Sequence, residues 1–248
     1  REGGYSRGKG GSMHMFSTEK DFYGGHGIVG ANVPLGAGLA FADKYLENNR
    51  VTFTYFGDGA ANQGQVYETF NMAALWDLPV VFVIENNQYA MGTSQKRSTS
   101  TPDIYTRGEA FGIPGEAVDG MDVLASLYLL RELVERARAG FGPALVDASV
   151  YRYGPHSSAD DDSIYRPAEE VAAWRARDPL PRYRRFLEQR GSWSDAQEAA
   201  LDAAIEEELD VAVRRAEAAG VPELGAMFED VYERVPWHLE EQREEMER

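Results

Sequence analysis

Apolar positions along the first 150 residues follow two alternating rhythms. Val51–Phe56 is a short run rich in aromatic and β-branched residues. Pro79–Ile84 is continuously apolar, the pattern of a strand buried on both faces of a parallel sheet. Between them, within Asn62–Trp76, Val66, Phe70, Ala73 and Ala74 fall at helical spacing. Pro34 can open an earlier helix reaching about Leu46, whose small residues permit close packing. A helix over Val123–Ala139 and a strand over Ala144–Val150 repeat the rhythm. This alternation predicts an α/β domain with a parallel sheet flanked by helices. The polar residues 154–163 read as a loop. Helices are then expected over 167–177, 180–190 and 194–219, the last stopped by Gly220-Val221-Pro222. The expected layout is therefore an α/β domain over 1–166 with a helical C-terminal part, 167–248, packed on it. Trp174, Trp193 and Trp237 are expected to pack those helices.

Composition narrows the function. Of 248 residues, 41 are acidic and 25 basic, a formal charge of −16. That balance argues against a nucleic-acid backbone as partner, which needs clustered Lys and Arg. The acids concentrate beyond residue 122, with 27 against 16 bases, and read as solvated helix faces. Cysteine is absent, which removes disulfides, thiol nucleophiles and cysteine-ligated metals. No stretch approaches the roughly 20 apolar residues that span a bilayer, and the Gly-rich start lacks the apolar run of a signal peptide. A cytoplasmic protein with neither nucleic-acid nor membrane partner is expected.

Candidate chemistry sits at two strand ends, because open α/β sheets bind ligands outside the carboxyl ends of their strands. One end carries Gly57-Asp58-Gly59-Ala60-Ala61-Asn62 and the other Glu85-Asn86-Asn87-Gln88-Tyr89. A carboxylate and a carboxamide oxygen are hard donors that suit Mg²⁺ bound together with a phosphate. A helix opening near Asn62 would aim its N-terminal amides at that anion. The same residues also fit a tight turn and a plain loop without metal, and local spacing does not separate the two readings. Gly25-His26-Gly27-Ile28-Val29-Gly30 matches Gly-x-Gly-x-x-Gly, but Lys20–Tyr23 before it does not look like a buried strand. Close packing of small residues is the safer reading there, and a nicotinamide-binding protein the weaker rival. The four histidines show no zinc-ligand spacing. His156 lies just past a strand end, and by itself reads as a surface loop histidine.

The longer constellation carries more. Asn87 follows Asp58 by 29 positions, resembling the thiamine-diphosphate motif of Gly-Asp-Gly, nearly thirty residues, then Asn-Asn. The stretches Gly10–Phe16, Phe22–Gly30, Gly57–Gln65, Asn71–Trp76 and Tyr89–Ser94 are similar to those of pyruvate dehydrogenase alpha subunits. Tyr151–Asp162, Met227–Tyr232 and Pro236–Leu239 look more like bacterial branched-chain 2-oxo acid dehydrogenase alpha subunits. The chain thus resembles the alpha subunit of the thiamine-diphosphate-dependent component of 2-oxo acid dehydrogenase complexes over nearly its whole length.

The resemblance implies a thiamine-diphosphate-binding fold, with Mg²⁺ held by the side chains of Asp58 and Asn87 and the backbone carbonyl of Tyr89. It implies that Gly59 and Ala60 line the diphosphate, that Gly27 and Val29 meet the aminopyrimidine through backbone, and that His156 is the catalytic imidazole beside the diphosphate. It implies oxidative decarboxylation of pyruvate, or alternatively of a branched-chain 2-oxo acid, with reductive acylation of a lipoyl group on an acyltransferase core. The implied assembly is an alpha-two, beta-two heterotetramer in the bacterial cytoplasm, whose beta subunit supplies the glutamate that activates the cofactor. Family members carry a further N-terminal segment with a Tyr-Arg pair for the diphosphate. A chain without it is expected to lack part of its site, which leaves a non-catalytic assembly subunit as a rival reading.

Overall fold

The computed structural model describes residues 3–248. Its contacts form two compact units, Ile28–Trp193 and the residues up to Gly27 together with Ser194–Arg248.

In the larger unit, α1 (Asn32–Tyr45) leads to β1 (Thr52–Gly57), α2 (Gly64–Leu75) and β2 (Val80–Asn86). A short hairpin, β3 (Tyr89–Ala90) and β4 (Thr93–Ser94), precedes a single turn, α3 (Gln95–Ser98). Then come β5 (Gly115–Asp119), α4 (Val123–Arg138), β6 (Ala144–Ser149), α5 (Ala168–Arg175) and α6 (Pro179–Gln189). The sheet order is β1-β2-β6-β5, every neighbour parallel. The α/β expectation is met, and the helices and strands named above are found with ends shifted by a few residues.

Burial explains why those elements were legible. Along β2, Val80, Phe82 and Ile84 join one core cluster and Val81 and Val83 the other. The first cluster lies under α1 and α2, where the Phe70 and Phe82 rings meet at 4.9 Å. The second lies under α4, whose N-terminus is capped by Asp122 accepting from the amides of Leu124 and Ala125. Helix α1 sits so close to β1 that a Cβ at Gly36 would fall 1.7 Å from Thr54 Oγ1. The small-residue reading of this helix therefore holds. Strand β5 escaped the pattern because Gly-Glu-Ala-Val-Asp is not an apolar run. It is an edge strand paired only with β6, and Glu116 and Ala117 are exposed.

In the smaller unit, α7 (Asp195–Ala218) is capped by Ser194 accepting from the Gln197 amide, and none of its residues is buried. Asp230 accepts from Arg7 at 2.8 Å and from Lys9 at 2.9 Å. Helix α8 (Trp237–Met246) packs against the 3-10 turn Leu224–Phe228, where Phe228 is buried. One tryptophan corrects the packing expectation and another meets it. Trp237 is 74% exposed, because its indole stands against His238, its neighbour in sequence, instead of another helix. Trp174 stacks on the Tyr151 ring at 5.1 Å, so α5 anchors to the end of β6 through it.

Candidate functional site

Asp58 directly follows β1, and the register pairs Gly57 with Glu85 at the end of β2. Its carboxylate is 1% exposed and Oδ2 has no hydrogen-bond partner. Burial pushes the carboxyl above its usual range, opposed by the amides of Asp58 and Gly59 and by the charge of Arg152. A buried oxygen without a donor is costly, and a cation placed there would satisfy it. Gly59 is needed for close approach, since a Cβ on it would come 2.3 Å from the Ala90 Cβ. Ala60 opens a separate 3-10 turn, Ala60–Asn62, and the extended backbone of Gln63 divides this turn from α2. The helix therefore starts at Gly64 and not near Asn62, which corrects the expected position of its N-terminal amides.

At the neighbouring strand end the chain makes two side-chain-closed turns in succession. Asn86 Oδ1 accepts from the Gln88 amide at 3.3 Å and from Gln88 Nε2 at 3.0 Å. Asn87 Oδ1 accepts from the Tyr89 amide at 3.1 Å, with Gln88 between them in the left-handed region at φ +73°. The Tyr89 carbonyl accepts from Arg152 Nη1 at 3.0 Å, and Arg152 Nη2 donates to the Met91 carbonyl at 2.8 Å. A carbonyl oxygen has two acceptor directions, so this contact leaves Tyr89 able to ligate a metal as well.

Arg152 also joins this hairpin to the loop that carries His156. The base of that loop is held by Arg166, which is ion-paired with Asp162 and donates to the carbonyls of Tyr153 and Gly154 at 3.1 and 2.8 Å. Its guanidinium lies over the Tyr151 ring at 5.3 Å. The hydroxyls of Tyr151 and Tyr89 both donate to Glu170, at 2.8 and 3.2 Å. Burial and the Glu170 carboxylate push the Tyr151 hydroxyl up to about 12. His156 is exposed, and its backbone amide donates to Asp160 Oδ2 at 2.8 Å. Among the described residues no hydrogen bond joins its imidazole to Asp58 or Asn87.

The structure thus gathers Asp58, Gly59, Ala60, Asn87 and Tyr89 at adjoining strand ends and ties the His156 loop to them through Arg152. Val29 is exposed, and its carbonyl accepts from Gln65 Nε2 at 2.9 Å. Gly27 falls in the other compact unit. Among the described residues no three of His, Asp and Glu converge on a point. The donor set available is one carboxylate, one carboxamide and one carbonyl, all hard oxygens, which suits Mg²⁺ with phosphate oxygens and water completing its shell. Residue-type reasoning missed Arg152, Arg166 and Glu170, which act across long sequence separations. It also passed over Asp147, although a lone acid inside the apolar strand Ala-Leu-Val-Asp-Ala-Ser is a visible signal.

A parallel sheet with an unpartnered buried carboxylate and an amide-closed turn at its carboxyl ends is a cofactor-binding α/β architecture. A family model for the dehydrogenase E1 component matches residues 2–225. The chain is 48% identical to the pyruvate dehydrogenase E1 component subunit alpha of Rhizobium meliloti (strain 1021), over 93% of this chain and 66% of that protein. It is 47% identical to the Rickettsia typhi protein of the same name, over 94% of this chain and 71% of the relative. The mitochondrial Dictyostelium discoideum subunit is 48% identical, over 94% of this chain and 61% of its own length. The chain spans roughly two thirds of these relatives' lengths. It belongs to the dehydrogenase E1 component family, whose members depend on thiamine diphosphate. Among the described residues no helix is long and apolar enough to cross a membrane.

Proposed function

We propose that this chain is the alpha subunit of a pyruvate dehydrogenase, acting with a beta subunit in the oxidative decarboxylation of pyruvate and the reductive acylation of a lipoyl group. The observation that carries the reading is the buried, unpartnered Asp58 carboxylate beside the Asn87–Tyr89 turn, in a chain nearly half identical to pyruvate dehydrogenase alpha subunits. Asp58, Asn87 and the Tyr89 carbonyl would hold Mg²⁺, and Gly59 and Ala60 would admit the diphosphate. Thiamine diphosphate bound there supplies the electron sink for loss of CO₂ from a 2-oxo acid. The chain's own share is binding and orientation. Asp58 would place negative charge on the metal, Arg152 holds the Tyr89 carbonyl in position, and His156 would move a proton or steady an oxyanion. Gly27 and Val29 would meet the aminopyrimidine through backbone, and a beta subunit would complete the cofactor site in an alpha-two, beta-two assembly. A lipoyl acyltransferase core is the acceptor, and the bacterial cytoplasm the location.

Decarboxylation of pyruvate and of 3-methyl-2-oxobutanoate, measured on the full alpha chain with its cognate beta chain, tests the reading. Preference for pyruvate is expected, with no turnover from the alpha chain alone. Preference for the branched substrate would reassign the specificity, and full activity from a lone alpha chain would refute the shared site.

A further inference from the structure

We propose that Glu170, in the first turn of α5, is a positioning residue for the metal site that acts through Tyr89; the inference rests on the metal–diphosphate reading above. Tyr89 bears on two of the three oxygens assigned to Mg²⁺. Its own carbonyl is one. Its amide donates at 3.1 Å to Oδ1 of Asn87, which is another. A carboxamide oxygen accepts twice, so Asn87 can take this bond and ligate as well. A shift of Tyr89 would therefore move both oxygens together.

The three polar groups of Tyr89 are held by three different parts of the chain. The amide closes onto Asn87, the carbonyl accepts from Arg152 Nη1 at 3.0 Å, and the hydroxyl donates to Glu170 Oε2 at 3.2 Å. Its buried ring meets Tyr151 edge-on at 6.3 Å and Tyr165 at 5.6 Å. The β3–β4 hairpin has strands of two residues each. A hairpin that short is not rigid by itself, so the side-chain tether decides where it lies.

Glu170 is a fixed point because α5 grips Tyr151 at both ends of its side chain. Trp174 lies four residues on, on the same face of the helix, and stacks on the Tyr151 ring at 5.1 Å and 7°. Glu170 Oε1 accepts from the Tyr151 hydroxyl at 2.8 Å. Tyr151 is buried just beyond the end of β6. The sheet thus places α5, and the carboxylate carries that placement across to Tyr89. A carboxylate only accepts, so each of its oxygens can take one hydroxyl. The first turn of a helix favours its negative charge.

Positioning and stability separate experimentally. Tyr89→Phe and Tyr151→Phe each remove one hydroxyl from the same carboxylate and keep the ring, but only the first unties the hairpin.

The test titrates Mn²⁺ in the presence of thiamine diphosphate, by electron paramagnetic resonance, on the full alpha chain assembled with its beta partner, beside the cofactor-free thermal midpoint of each assembly. Tyr89→Phe and Glu170→Ala should each weaken Mn²⁺ binding by about 10- to 100-fold, and the double variant should bind no worse than Glu170→Ala alone. Tyr151→Phe should lower the midpoint as Tyr89→Phe does and leave Mn²⁺ affinity close to that of the unsubstituted protein. Glu170→Gln still offers Tyr89 an acceptor and should recover most of the affinity lost in Glu170→Ala. Unchanged affinity in Tyr89→Phe, equal losses in the two tyrosine variants, or losses that add in the double variant overturn the proposal. If Glu170→Ala does not assemble, the contrast between the two tyrosine variants decides by the same criterion. Failure of the unsubstituted protein to bind Mn²⁺ would refute the metal–diphosphate reading, and this proposal with it.

Discussion

Replacing Asp58 by Asn separates what this carboxylate does for the fold from what it does for the cofactor. The side chain is 1% exposed with Oδ2 unpartnered, so the cofactor-free chain carries a desolvation cost that no hydrogen bond relieves at that atom. Asn has the same shape without the charge, and the cofactor-free midpoint should stay level or rise. The metal-dependent gain should disappear. A ligand that binds only the folded state at 100 times its dissociation constant stabilises by about 2.7 kcal/mol. For a domain of this size about 2–4 °C accompanies each kcal/mol, so the unsubstituted assembly should gain roughly 5–11 °C from Mg²⁺ and thiamine diphosphate together. The variant should gain almost none. Thermal unfolding of both assemblies, with and without cofactor, measures the difference. An equal cofactor-induced shift in the Asn variant would show that Asp58 does not hold the metal.

Three further outcomes follow from the same geometry. His156→Ala should lower turnover with the beta chain by about 10²–10⁴-fold and leave the thermal midpoint alone, because the residue is exposed; near-normal turnover would make it a surface histidine. Gly59→Ala pushes a Cβ to 2.3 Å from the Ala90 Cβ and should cost about 1–3 kcal/mol of stability, read by denaturant unfolding, with weaker cofactor binding as the hairpin shifts. Tyr151 ionises near 10 when unfolded and at about 12 when folded, so its contribution is present below pH 10 and lost as pH rises toward 12. Tyr151→Phe should therefore flatten the stability–pH curve across that window, while losing the Glu170 hydrogen bond at neutral pH; an unchanged alkaline slope would contradict the assignment.

Hydrophobic periodicity was enough for the architecture, and local pattern was enough to nominate the strand ends of the candidate site. Periodicity reports which faces are buried, so the continuous run at Pro79–Ile84 announced a strand covered on both sides, and Val80–Asn86 is one. Asp58 and Asn87 were legible because each stands where a strand stops, a position that local pattern defines. Edge strand β5 was not legible, because a strand paired once, with Glu116 and Ala117 exposed, needs no apolar run. Nor was the exposure of Trp237, since composition says that a tryptophan tends to be buried and not against what. The remaining assignments depended on tertiary structure. Arg152 meets the Tyr89 carbonyl across 63 positions, and Asp147 shares a sheet face with Ile84 only because β6 lies beside β2 in a particular register. A one-residue slip in that register would turn Asp147 to the opposite face of the sheet. Residue type and local spacing can nominate such groups, but strand order and register decide which of them share a site.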